Sequence, residues 1–251
     1  MPVRKPFPSR KTPDADPSGP SGKGKAPRQP RVPKPVDPAT LAEIFHRFRD
    51  ANPEPKGELE HVDPYTLVVA VVLSAQSTDA GVNKATRELF KVADTPQAMV
   101  NLGEEGLRSY IKTVNFHPTK ARNIVALSRK LLEEHGGVVP PARAVLESLP
   151  GVGRKSASVV LNNAFGEATI AVDTHVFRVS NRIPLVRTKT ADETQLALEK
   201  IVPEAFRAQA HHWLILHGRY VCKARRPECY RCLTRDLCRY EPKTPAPESA
   251  V

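Results

Sequence analysis

Apolar residues recur at helical spacing along most of the chain after residue 39. The segment "PATLAEIFHRFRDAN" places four of them on one face: Leu41, Ile44, Phe45 and Phe48. Asp37 and Pro38, just before these four, are typical of a helix start. The segments "NIVALSRKLLEEHGG" and "RKSASVVLNNAFG" repeat the pattern, and Gly136 and Gly166 supply their ends. The pattern predicts an all-α fold with roughly ten helices.

The apolar run "LVVAVVL" at residues 67–73 is ambiguous, because its valines suit a strand as well as a buried helix. No segment with strand-like alternation offers it a partner, so we predict a buried helix. The run is much shorter than a membrane span, and we expect a soluble protein that has no membrane segment.

A proline-rich tail precedes the helical region. Residues 1–38 hold 11 of the 25 prolines, and nine lysines or arginines against three aspartates. Such a segment cannot bury enough apolar surface to offset its ordering entropy, so we predict disorder for residues 1–38 and also for residues 241–251. The tail lacks the features of a signal peptide or an organelle presequence. It is either an electrostatic arm for nucleic acid or a solubilising linker.

All four cysteines lie close together, with the spacing C-x6-C-x2-C-x5-C: Cys222, Cys229, Cys232 and Cys238. Nothing suggests secretion, so a metal site is favoured over disulfides. Structural zinc sites usually pair two C-x2-C knuckles, whereas a [4Fe-4S] cluster tolerates uneven spacing, and the spacing alone leaves both open. Arg225 and Arg226 belong to a basic rim that is either solvated or a phosphate-binding edge.

The stretch "LPGVGRKSA", residues 149–157, predicts a tight turn between two helices. Its glycines permit positive φ and close approach to a ligand, and the helix that follows presents free amides. Because the net charge of +11 favours a nucleic-acid partner, a DNA phosphate is the natural ligand of the turn residues: Gly151, Val152, Gly153 and Arg154. The alternative is a helix connector that binds nothing.

Lys155 falls in the first turn of that second helix, where it is a phosphate contact, a solvated charge or a nucleophile. Removing the proton from an ordinary lysine amine at pH 7 costs about 4 to 5 kcal/mol of free energy. Burial, the positive helix end and neighbouring Arg154 all favour the neutral form. Asp173 is placed to cap the next helix by accepting amides of His175 or Val176, and a carboxylate near a reactive lysine can also accept a proton.

Four segments in chain order, followed by the four cysteines, resemble the endonuclease III family of base-excision DNA glycosylases: "LSAQSTDAGVNKAT", "LPGVGRKSA", "AVDTHVFRV" and "HHWLILHGRYVC". The resemblance extends over residues 39–240 and implies a two-domain helix-hairpin-helix glycosylase fold with DNA in an interdomain groove. A six-helix domain at residues 57–167 would be inserted into a cluster domain formed by residues 39–56 and 168–240. The cofactor implied is a structural [4Fe-4S] cluster on the four cysteines.

The resemblance maps the nucleophile onto Lys155 and an essential carboxylate onto Asp173. It implies removal of oxidised pyrimidines and AP lyase activity through a lysine Schiff base and β-elimination. Gln76 and Phe116 correspond to family residues that fill the space left in the duplex when the damaged nucleotide is extruded. At the position of Phe116 the family is expected to have an aliphatic residue, and at the position of His117 a tyrosine. The partner would be double-stranded DNA that contains damaged pyrimidines or abasic sites.

Two other functions stay open, a monofunctional adenine-mismatch glycosylase and a non-catalytic DNA-damage-binding protein on the same scaffold. The mismatch family lacks a lysine at the position of Lys155 and carries an extra C-terminal domain, whereas 13 residues follow Cys238 here. We expect a monomer, located in the bacterial cytoplasm at the nucleoid, or in the nucleus if the source is a eukaryote.

Overall fold

The computed structural model describes residues 34–247, and helices form all the regular structure within them. They are α1 (Pro38–Ala51), α2 (Pro64–Ser74), α3 (Asp79–Leu89), α4 (Pro96–Tyr110), α5 (His117–His135), α6 (Arg143–Ser148), α7 (Arg154–Phe165), α8 (Thr174–Arg182), α9 (Ala191–Ile201) and α10 (Glu204–Tyr220). A short 3-10 turn, Cys229–Arg231, follows them. The prediction of an all-α fold is confirmed.

Local capping sets the helix boundaries that the sequence predicts. Asp37 caps α1, because its Oδ1 accepts the Thr40 N–H at 2.9 Å. Gly136 and Gly166 end α5 and α7 in the left-handed conformation, with φ of +60° and +68°. Each of these signals lies within a few residues of the helix end that it determines.

A first hydrophobic core is formed by α2–α7 and contains buried apolar residues between Tyr65 and Leu161. Helix α2 lies inside it, and every residue from Tyr65 to Leu73 is buried. This helix packs against α3, α5 and α7. The valine-rich run is therefore a buried helix, as predicted.

A second hydrophobic core is formed by α1 and α8–α10. The rings of Phe45 and Phe206 stack with centroids 5.8 Å apart. Trp213 Nε1 donates a hydrogen bond to Asn52 O at 2.8 Å, which ties α10 to the end of α1. Helix α1, near one end of the chain, thus packs with helices that come after residue 170.

Residues 34–37 contact the second core, although the sequence analysis assigned residues 1–38 to a disordered tail. The Val36 N–H donates to Pro184 O at 3.0 Å. Arg239 Nη1 donates to the carbonyls of Lys34 and Pro35 at 3.2 and 3.1 Å. These bonds hold the backbone of residues 34–36 against the second core. Residues 1–33 of that tail, and residues 248–251 of the C-terminal one, lie outside the described residues. Among the helices of residues 34–247, none is long and apolar enough to cross a bilayer.

Candidate active site and cysteine centre

The glycine turn joins α6 to α7 and is anchored by two buried side chains, Leu149 and Val152. Gly151 has φ of +82°, and a Cβ atom there would lie 3.0 Å from Asn123 Nδ2. Gly153 is the N-cap of α7 and offers no side-chain hydrogen bond. The first amides of α7 are therefore left for an anion.

Lys155 lies in the first turn of α7 and is exposed. This finding corrects the sequence analysis, which counted burial among the effects that favour a neutral amine. The reason is that α7 buries a different face, which includes Ala157, Val160 and Leu161. The N-terminus of α7 and the exposed side chain of Arg154 lie beside Lys155.

Asp173 is the N-cap of α8 and is half-buried. Its Oδ1 accepts hydrogen bonds from the backbone N–H groups of His175 and Val176, both at 2.8 Å. The predicted capping role is confirmed. Because both bonds use the same oxygen, the carboxylate is fixed in orientation while Oδ2 is left to interact with a bound group.

Lys155 and Asp173 line the same open groove, although they belong to helices of different cores. The groove holds about 1590 Å³ of space open to solvent. The junction of α2 and α3 contributes to its wall together with the start of α8, and the residues at this junction are Ser74, Gln76, Ser77, Thr78 and Asp79. A smaller cavity of about 550 Å³ also has Lys155 in its wall, and Val159 and His211 line it. The structure thus brings the candidate nucleophile and the candidate carboxylate to one site.

Sequence reasoning missed an ion cluster at this groove. Arg219 Nη1 donates to Asp79 Oδ2 at 2.6 Å and also to Glu58 Oε2. The Tyr220 hydroxyl donates to the second oxygen of Glu58. The cluster ties the end of α10 to the start of α3. No local pattern signals it, because Arg219 and Asp79 are 140 residues apart in the sequence.

His211 was also missed, although it lies in the quoted segment "HHWLILHGRYVC". Burial lowers the pKa of His211 to about 4, and nearby His212 contributes in the same direction. The imidazole is therefore neutral at pH 7, and its Nδ1–H donates to Ala171 O at 2.7 Å. This assignment leaves Nε2 as a hydrogen-bond acceptor beside the cavity that Lys155 lines.

Gln76 and Phe116, the two candidates for filling the duplex, are exposed, and Phe116 has 62% of its surface accessible. Gln76 follows the end of α2 and lines the groove. Phe116 immediately precedes α5. Asn115 Nδ2 donates to Gln76 O at 2.6 Å, so the two candidates lie in neighbouring loops.

The four cysteines line one cavity of about 330 Å³: Cys222, Cys229, Cys232 and Cys238. None of them forms a disulfide. Apolar side chains complete part of the wall, among them Ile183, Val221 and Pro227. Burial raises the pKa of the Cys222 and Cys238 thiols, so a bound metal cation has to replace their protons.

The donor set of this cavity fits a thiolate-bound metal centre. Arg182 Nη1 lies 3.6 Å from Cys222 Sγ, and His217 Nε2 lies 3.6 Å from Cys232 Sγ. Such polar neighbours stabilise ligating sulfurs. Within residues 34–247 no group of three or more His, Cys, Asp or Glu side chains is placed to hold a metal ion, so the metal centre is inferred from the four thiols that line the cavity. Arg225 and Arg226 are exposed on the loop between the first two cysteines.

Comparison with known proteins defines the class to which this fold and site belong. The family model described as "HhH-GPD superfamily base excision DNA repair protein" matches residues 69–204. This match spans most of the first core, the glycine turn, Lys155, Asp173 and α9. The chain is thus a helix-hairpin-helix protein of base excision DNA repair.

Sequence identity to curated relatives and superposition on a solved structure identify the family within this superfamily. Endonuclease III of Escherichia coli (strain K12) is 53% identical over 208 residues, which cover 83% of this chain and 99% of that relative. Endonuclease III of Haemophilus influenzae (strain ATCC 51907 / DSM 11121 / KW20 / Rd) is 54% identical over 201 residues, covering 80% and 95%. A solved structure described as a trapped endonuclease III–DNA covalent intermediate superposes with a TM-score of 0.77 at 41% identity, covering 81% of this chain and 96% of that one. This chain belongs to the endonuclease III family.

Proposed function

We propose that this chain is a base-excision DNA glycosylase with AP lyase activity, in which Lys155 is the nucleophile and Asp173 the assisting carboxylate. One observation carries the proposal: Lys155 and Asp173 line the same groove from the starts of α7 and α8. The groove is open to solvent and holds about 1590 Å³ of space, and an extruded nucleotide needs such an open site. The covalent DNA intermediate of a 41% identical relative supports the same chemistry.

The reaction begins when the neutral Lys155 amine attacks C1′ of the damaged nucleotide. The C1′–N bond breaks and the base leaves with its bonding electrons and a proton. The amine proton goes to the leaving base, and the sugar ring then opens as the C1′–O4′ bond breaks and O4′ takes up a proton, which gives a protonated Schiff base between Nζ and C1′. Removal of a C2′ proton then breaks the C3′–O bond by β-elimination, and water releases the lysine from the sugar.

Asp173 suits the assisting role because its position is fixed before DNA arrives. Two backbone amides of α8 hold Oδ1, so the carboxylate needs no reorganisation during the reaction. Its negative charge stabilises the positive charge that develops at C1′ and on Nζ. Its Oδ2 atom can take up and return protons. The start of α8 thus combines a structural cap with a catalytic charge.

DNA would be held on both sides of the groove. The free amides after Gly153 and the exposed Arg154 suit a backbone phosphate, and Arg225 with Arg226 offers a second basic edge. Gln76 and Phe116 would enter the space that the extruded nucleotide vacates. The preferred lesions that we propose are oxidised pyrimidines and abasic sites in double-stranded DNA.

We propose that the two hydrophobic cores are two domains, a six-helix domain at residues 57–167 and a cluster domain at residues 39–56 and 168–240. The four cysteines would hold a [4Fe-4S] cluster, which supplies a cross-link for the loop that carries Arg225 and Arg226. Zinc also suits four thiolates, so metal analysis has to distinguish the two. The proposed location, at the bacterial nucleoid, rests on the bacterial relatives.

Borohydride trapping tests the nucleophile. Wild type should form a covalent adduct with duplex DNA that contains an abasic site or a thymine glycol, and Lys155→Ala should form none. Lys189→Ala is the matched control, because Lys189 is an exposed lysine that lines the same groove. An adduct that survives in Lys155→Ala refutes the assignment. Base release by wild type with no adduct and no strand cleavage would favour the monofunctional glycosylase. Binding of damaged DNA with no base release would favour the non-catalytic damage-binding protein.

A further inference from the structure

Two non-glycine residues in the described part of the chain have a left-handed backbone, and they are Gln76 with φ of +55° and Phe116 with φ of +57°. Residues with side chains adopt this conformation rarely, and it persists only where the surroundings impose it. Both residues are also the proposed duplex-filling residues. Hydrogen bonds from α5 and from the residue before Phe116 hold the two loops in this conformation.

A buried lysine holds the first loop. Lys120 belongs to α5, is 6% exposed, and directs its ammonium toward the end of α2. Its Nζ donates to Leu73 O at 2.8 Å, to Ala75 O at 2.6 Å and to Ser77 Oγ at 3.0 Å. These three acceptors lie on both sides of Gln76 in the sequence, so one side chain fixes the chain before and after it.

The position of the ammonium has a physical reason. The last carbonyls of an α-helix lack intrahelical partners and carry the negative end of the helix dipole. Burial lowers the pKa of Lys120, and an unpaired ammonium in this place would be unstable. All three N–H groups are used instead, which makes the lysine the cap of α2.

A second bond links the two loops directly. Asn115, next to Phe116, donates from Nδ2 to Gln76 O at 2.6 Å. Lys120 lies one helical turn beyond Phe116, and its backbone N–H donates to Phe116 O at 3.1 Å. The first turn of α5 therefore carries Phe116 and, through Lys120 and Asn115, also sets the conformation around Gln76.

We infer that Lys120, assisted by Asn115, is the positioning residue of a two-part DNA wedge formed by Gln76 and Phe116. The inference rests on the proposed function, because it assumes that these two side chains enter the duplex. Lys120 itself is buried and does not contact DNA. Its role is to place both wedge side chains before binding, since displacing a positioned group by about 1 Å can lower a rate by about 100-fold.

The test compares two abasic DNA substrates under single-turnover conditions with Lys120→Met, which keeps the apolar stem and removes the ammonium. In a full duplex, extrusion of the abasic nucleotide leaves a space opposite a base, and the wedge has to fill it. An abasic nucleotide in a one-nucleotide bulge has no opposing base, so no such space has to be filled. We expect strand cleavage to fall by about tenfold or more on the duplex, and by less than about twofold on the bulge. A 2-aminopurine opposite the lesion should also lose its fluorescence increase on binding.

Lys130→Met is the matched control, because Lys130 is also on α5 but bonds to Ser148 O, and it should cleave both substrates like wild type. Equal losses of Lys120→Met on both substrates, or no loss on the duplex, overturn the inference. If Lys120→Met does not fold, Asn115→Ala decides by the same comparison, since Asn115 is exposed and gives up one hydrogen bond. Wild type that cleaves neither substrate refutes the proposed function itself, and with it this inference.

Discussion

The two glycines of the turn should respond differently to the same substitution. A side chain at position 151 would have to adopt φ of +82°, where an alanine costs about 1 to 2 kcal/mol. Its Cβ would also lie 3.1 Å from Asn123 Cβ and 3.3 Å from Val72 Cγ1. Both neighbours are fixed by helices, so the crowding should cost about 1 to 3 kcal/mol more. Gly151→Ala should therefore destabilise the fold by about 2 to 5 kcal/mol and lower Tm by about 5 to 20 °C.

Gly153→Ala is the matched control in the same turn. Gly153 has φ of −98°, and no heavy atom lies within 4 Å of the Cβ that alanine would add. We expect a stability loss of about 1 kcal/mol or less. The added methyl group would stand in front of the free amides of α7, so affinity for DNA should fall about tenfold through one weakened charge-assisted hydrogen bond.

Two assays separate these effects: thermal unfolding followed by circular dichroism, and binding of duplex DNA at fixed salt. We expect Gly151→Ala to lower Tm strongly, and Gly153→Ala to lower the affinity for DNA while its Tm stays close to that of wild type. Equal melting temperatures for the two variants would refute the argument from backbone conformation. Unchanged DNA affinity of Gly153→Ala would refute the role of the turn in phosphate binding.

Three further predictions concern the groove and the cysteine centre. Asp173→Asn should keep the cap of α8 and the Tm of the protein, but it should slow adduct formation about 100-fold. Asp173→Ala should in addition lose about 1 kcal/mol of stability. Equal rates for wild type and Asp173→Asn would contradict the role of the negative charge. His211 binds its proton at about pH 4 when folded and near 6.5 when unfolded, so stability should fall by about 3 kcal/mol as pH drops through this window. Urea unfolding of His211→Gln should show a flatter pH profile, and a profile parallel to wild type would count against it. Cys229→Ala should purify without the iron and the brown colour of wild type and melt at lower temperature, and stoichiometric zinc in wild type would contradict the cluster assignment.

Much of the helical architecture could be read from the sequence because the deciding interactions are local. Asp37 caps α1 through an amide three residues away, and Gly166 ends α7 by its own backbone conformation. The valine-rich run was harder, since its residues suit strand and helix equally. The lack of any partner strand was enough to predict α2 correctly.

Site residues with chemistry written into a motif were also accessible, whereas those that act through distant partners were not. The turn and the capping aspartate identified Lys155 and Asp173 as candidates, and the structure brings both to one groove. The sequence could not show that Lys155 is exposed, because exposure depends on what faces the start of α7. It also gave no indication of Arg219, whose carboxylate partners lie 140 and 161 residues away.

By itself, then, the sequence determined that the described chain is helical, where the main helices end, the glycine turn and the four-cysteine set, because each depends on residues a few positions apart. Only the tertiary structure decided which helices share a core, that Lys155 and Asp173 line one groove, and why Lys120 is buried. Lys120 binds carbonyls 45 and 47 residues before it, so its role depends on how α5 packs against α2. Contacts across such separations are set by the packing of whole helices, and no local pattern of residues records them.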